Sequence, residues 1–128
     1  MSPFRVDQEE FEQMAHEAFE SLPEEIRSRI ENLFVVVEDT PCEETMQKMG
    51  LRSREELLGL YEGIPLDRRG EHYGSYPVVP DRVTLFKRNI EAVCNSRGAV
   101  RRKVRDVLIH EIAHHYGFDE DDVREAGY

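Results

Sequence analysis

His110-Glu111-Ile112-Ala113-His114-His115-Tyr116-Gly117-Phe118-Asp119-Glu120 is the stretch on which the reading of this chain turns. It closes a segment in which Val104, Val107, Leu108, Ile109 and Ile112 form a largely apolar run. Ser96 is a suitable N-cap for that segment, and the pattern predicts a helix from there to about Tyr116. Gly117 is placed to end it, because glycine accepts the left-handed backbone that follows many helices.

On such a helix each residue turns about 100°, so His110 and His114 lie only about 40° apart around the axis, one turn apart along it. Two imidazoles then point at one small volume. Zinc accepts imidazole nitrogens at about 2.0–2.1 Å, so both rings can hold a single ion. His115 lies about 140° around the helix from His110 and is a poor further ligand. Glu111 follows the first histidine and is placed to take a proton from a metal-bound water. Zinc in such a site lowers the pKa of its water to about 7 and polarises a substrate carbonyl.

A catalytic site of this kind needs a third protein ligand and keeps its fourth position open. Beyond Gly117 the chain offers Asp119, Glu120, Asp121 and Asp122. If Asp119 caps a last helix over 120–126, Glu120 is the first helical residue and faces the metal. Asp119 and Asp121 are the alternatives. The bland reading is a solvated helix face carrying two histidines. The apolar run before His110 argues against it, since ionisable groups on a helix that enters the core need partners or a metal.

The remaining sequence predicts helices flanking a small three-stranded sheet, an α+β fold. Phe11, Met14, Ala15, Ala18, Phe19 and Leu22 recur at helical spacing over Asp7 to Ser21, with Asp7 and Glu10 suited to a capping box. Pro23 to Asn32 reads as a second helix. The β-branched run Leu33 to Glu38 reads as a buried strand. Glu43 to Met49 reads as a short helix stopped by Gly50, and Leu57 to Glu62 as a second strand. Asp67 to Pro80 is polar, holds Gly70, Gly74, Pro77 and Pro80, and reads as a surface loop. Asp81 to Lys87 reads as the third strand, followed by a short helix over Asn89 to Cys94.

Several of these segments together resemble the minimal zincin-type metallopeptidases of bacteria, small proteins with an HExxHxxGxxD pattern near the C-terminus. The similarity extends to Leu22-Pro23-Glu24-Glu25, Val35-Val36-Val37-Glu38-Asp39, the unusual stretch from Leu57 to Leu66, and Pro80-Asp81-Arg82-Val83-Thr84-Leu85-Phe86. The resemblance implies a zincin-like fold, zinc as cofactor, His110 and His114 as ligands and Glu111 as base. It also implies the acid at the end of the motif as third ligand; that position is Glu120 here, where the family pattern usually has Asp.

In zincins a strand beside the active-site helix pairs with extended substrate. The expected strand is Val83 to Lys87, with Val83 and Leu85 near the substrate and an exposed backbone edge. Tyr73 and Tyr76, in the 67–80 loop, are candidates for a cleft wall and for donation to an oxyanion. His72 is a lesser candidate ligand. Tyr61 and Glu62 read as structural, with Glu62 a candidate partner of a ligand histidine.

Bulk properties bound the rest. A chain of 128 residues fits one domain over residues 1–128. Its formal net charge of -10 offers no basic face for nucleic acid. The run Arg97, Arg101, Arg102, Lys103 and Arg105 therefore reads as a solvated helix face. No segment approaches the roughly 20 apolar residues of a membrane span, and Met1 to Glu10 lacks signal-peptide character, so the expected compartment is the cytoplasm. There Cys42 and Cys94 are expected as free thiols. The function expected is a zinc-dependent hydrolase of peptide or amide bonds. The rival is a metal-binding interaction domain without turnover, which would show four protein ligands and no open position.

Overall fold

The computed structural model describes residues 4–28, 30, 32–63 and 81–115. Within them, a mixed three-stranded sheet lies against two long helices, an α+β arrangement as expected. Helix α1 (Gln8–Glu20) buries Phe11, Met14, Ala15 and Ala18, the stripe its spacing predicts. A short helix α2 (Glu24–Arg27) follows Pro23 and is briefer than the predicted Pro23 to Asn32. Strand β1 (Leu33–Glu38) has the predicted bounds, as does helix α3 (Glu43–Met49). Gly50 ends α3 at φ 66°, in the left-handed region. A single 3₁₀ turn (Arg54–Glu56) leads into strand β2 (Gly59–Glu62), two residues later than predicted.

Strand β3 (Asp81–Phe86) passes directly into helix α4 (Lys87–Ala92), and helix α5 (Arg97–His115) completes the described residues. Ser96 caps α5 as predicted: its Oγ accepts the Ala99 N–H at 3.1 Å. At α1 the capping box does not form. Asp7 is the N-cap residue but makes no side-chain cap bond, and Glu10 is engaged by Arg97 instead.

The strand order is β1-β3-β2, with β1 parallel and β2 antiparallel to β3. This overturns the expectation that Val83 and Leu85 belong to a strand with an exposed edge. Both edges of β3 are paired, and both side chains are fully buried in the core. Thr84 and Phe86, on the opposite face, are buried as well. The near-continuous apolar run Val83-Thr84-Leu85-Phe86 is the composition of a strand covered on both sides.

The core forms where α1 and α5 close over one face of the sheet. Phe11, Met14, Ala15 and Ala18 join Val83, Leu85, Val100, Val104, Leu108, Ile109 and Ile112 in one cluster. Each fully buried branched or aromatic side chain contributes about 1.5–3 kcal/mol. At the surface Glu10 pairs with Arg97 and Glu17 with Arg101, so two members of the basic run tie α5 to α1. Such exposed pairs stabilise by no more than about 1 kcal/mol. Cys42 and Cys94 are free thiols. Among the described residues no helix is long and apolar enough to cross a membrane.

Among the described residues one Lys–Glu ion pair lies inside. Lys87 Nζ meets Glu91 Oε2 at 2.8 Å, with the two side chains 10% and 1% exposed. The same oxygen accepts the Val6 N–H at 2.9 Å, which draws the segment before α1 onto α4. Lys87, predicted as the end of a strand, is therefore the first residue of a helix. Removing one member of a buried pair strands the other's charge. Lys87→Met is expected to lower unfolding free energy by about 3–5 kcal/mol in urea titrations, and a shift under 1 kcal/mol would contradict the buried pair.

Candidate metal centre

Helix α5 is pinned to the core by Val104, Leu108, Ile109, Ile112 and Ala113, all fully buried. Residues on the remaining faces are thereby fixed in direction. His110 and Glu111 are half-buried, and His114 is exposed. The His110 and His114 ring centroids lie 6.3 Å apart with planes at 85°. Imidazoles sharing one ion at about 2.0–2.1 Å per nitrogen have ring centres roughly 5–6 Å apart, a separation close to that of this pair.

The ring of His110 is oriented by a neighbour. Its Nδ1 lies 2.7 Å from the Asp106 carbonyl oxygen. A carbonyl can only accept, so Nδ1 is the donor in this contact. This is the arrangement that orients a metal-binding histidine. The donor chemistry fits zinc. Among the described residues no group of three or more His, Cys, Asp and Glu side chains forms a metal cluster. The expected third ligand Glu120, its alternatives Asp119 and Asp121, and the loop residues His72, Tyr73 and Tyr76 lie outside the described residues.

Glu111 is held from the sheet. Its Oε1 accepts the backbone N–H of Tyr61, in β2, at 3.2 Å. The approach is possible because Gly59 has no side chain: a Cβ there would lie 2.6 Å from Val107 Cγ1 and 3.3 Å from the Thr84 carbonyl oxygen. Burial pushes the Glu111 carboxyl above the ordinary value of 4.5. The Tyr61 N–H and the charges of His114 and His110 oppose that rise without cancelling it.

Other expected roles are corrected or extended. Glu62 pairs with Arg82 at 2.8 Å and does not serve a ligand histidine. His115, set aside as a ligand, stacks flat on Tyr61 with centroids 3.8 Å apart and planes at 15°. The Tyr61 hydroxyl donates to Asp81 Oδ2 at 2.7 Å, and His115 Nε2 lies 3.9 Å from the same oxygen. This cluster was not foreseen. The only sequence signal for it is Asp81, an acid opening an otherwise apolar strand.

The sequence model of the zincin-like metallopeptidase family matches residues 30–128, and the chain belongs to that family. Zinc binding and action on peptides or proteins are what that family implies in general. No curated protein matches the chain.

A carboxyl whose pKa is higher folded than unfolded binds more protons in the native state, so stability falls as pH rises from the unfolded pKa through the folded one. Glu111→Gln removes that loss. In metal-free protein the variant is expected to melt above wild type at pH 7, with the advantage shrinking toward pH 4. Melting curves at the two pH values decide it; an advantage that grows toward pH 4 would show that Glu111 is not raised.

Proposed function

We propose that the chain is a zinc-dependent metallopeptidase in which His110, His114 and Glu120 hold the metal and Glu111 is the general base. The observation that carries this reading is the convergence on one helix face of His110 and His114, ring centroids 6.3 Å apart, with Glu111 between them in sequence and held by the Tyr61 N–H. Zinc, when bound, supplies Lewis acidity for the substrate carbonyl and acidifies water.

The chain's own residues do the proton work. Glu111 takes a proton from the attacking water and delivers it to the leaving amine. Its elevated proton affinity suits both halves of that cycle, because the base must bind the proton before giving it up. The Tyr61 N–H keeps the carboxylate beside the two histidines. Tyr73 and Tyr76 complete the reading as wall residues donating to the oxyanion.

Zinc per chain and hydrolysis of a peptide library test the reading together. Glu111→Gln is expected to keep its zinc and lose at least about 100-fold in kcat. His110→Ala and His114→Ala are expected to lose zinc and turnover alike. Equal turnover by wild type and Glu111→Gln would remove Glu111 from the mechanism.

A further inference from the structure

Helix α5 and strand β2 run in step. Val107 meets the space beside Gly59, Glu111 meets the Tyr61 N–H, and His115 meets the Tyr61 ring and the space beside Gly63. Four helical residues rise about 6 Å, and two strand residues advance about 6.8 Å. The helix positions 107, 111 and 115 therefore keep pace with strand positions 59, 61 and 63 over this length. Tyr61 is the middle residue of that seam and is held three ways. Its ring lies flat on His115, its hydroxyl donates to Asp81, and its N–H donates to Glu111.

We propose that Tyr61 is a positioning residue for Glu111, with the His115 stack and the Asp81 bond fixing the strand at the height where its N–H carries the carboxylate. The inference rests on Glu111 being the base. Asp81 is 4% exposed, and a buried carboxylate requires a donor, which the Tyr61 hydroxyl provides. That bond anchors Tyr61 to the start of β3, while the stack anchors it to the end of α5. Both anchors lie on the side chain, and the consequence appears on the backbone. Among the described residues the flexible Glu111 side chain has a fixed backbone donor in the Tyr61 N–H, which confines its carboxylate. Packing alone would ask only for an apolar side chain at position 61. The hydroxyl–carboxylate bond and the flat stack are more specific than that.

The test uses the whole chain loaded with zinc. Tyr61→Leu and His115→Ala are expected to lower kcat about tenfold on a library peptide, with KM and zinc content within about twofold of wild type. His115→Phe, which keeps a flat ring, restores kcat. Amide hydrogen exchange gives a readout independent of turnover. The amide at position 61 is expected to exchange about tenfold faster in His115→Ala and in Glu111→Ala, while the Val83 to Leu85 amides keep wild-type rates. Wild-type kcat and wild-type exchange at position 61 in His115→Ala would overturn the proposal. So would equal acceleration across β3, which would mark general loosening. If the wild-type chain hydrolyses no peptide, the assignment of Glu111 as base fails by itself. The exchange rates then still decide whether the stack holds the Tyr61 N–H on Glu111.

Discussion

Gly59 has no side chain, and Val107 fills the space where one would lie. The contact of α5 with β2 is set by that single absence, since even one methyl group would come within 2.6 Å of Val107 Cγ1. From this close approach the rest of the site follows. Glu111 reaches the backbone of the strand only because the helix axis lies so near. Protein interiors do not deform smoothly to absorb such clashes. A wider gap would leave the Glu111 carboxyl in solvent, without the burial that raises its proton affinity.

The helix is therefore held by two kinds of force with different tasks. Its apolar stripe, from Val100 to Ala113, provides most of the adhesion and has no directional demand. Directional bonds then finish the placement. The Asp106 carbonyl turns His110, the Tyr61 N–H turns Glu111, and the Tyr61 ring covers His115. Each of these partners is backbone, or is itself anchored to Asp81. Side chains with several rotatable bonds are thus tied to groups that have almost none.

Much of this was readable in the residues. The apolar spacing of α5, its Ser96 cap, the β-branched run of β1 and the glycine after α3 all carry local causes, and local causes survive folding. The two histidines were legible for the same reason, since helix geometry alone brings them together. What failed was non-local. The run from Val83 to Phe86 tells of covered faces, but nothing in it shows that both edges are paired. Lys87 looks like the end of a strand until Glu91, one helical turn on, claims it. Glu10 fits a capping box, but Arg97, far away in sequence, engages it instead. The Tyr61–His115 stack joins two segments that share no pattern. The helix geometry placed His115 on a different face from His110 without saying what it would meet there.

The parallel pairing of β1 with β3 sets residue 33 opposite residue 81. Contacts so distant along the chain form late, because the entropy of closing a long loop is lost before any contact repays it. Helix α5 nucleates locally, yet the strand that steadies Glu111 is in place only once the sheet has assembled. A chain part-way through folding can thus own a formed histidine helix while Glu111 still lacks the Tyr61 N–H that holds it. The histidine pair and the carboxylate between them in sequence owe their final arrangement to different stages of assembly.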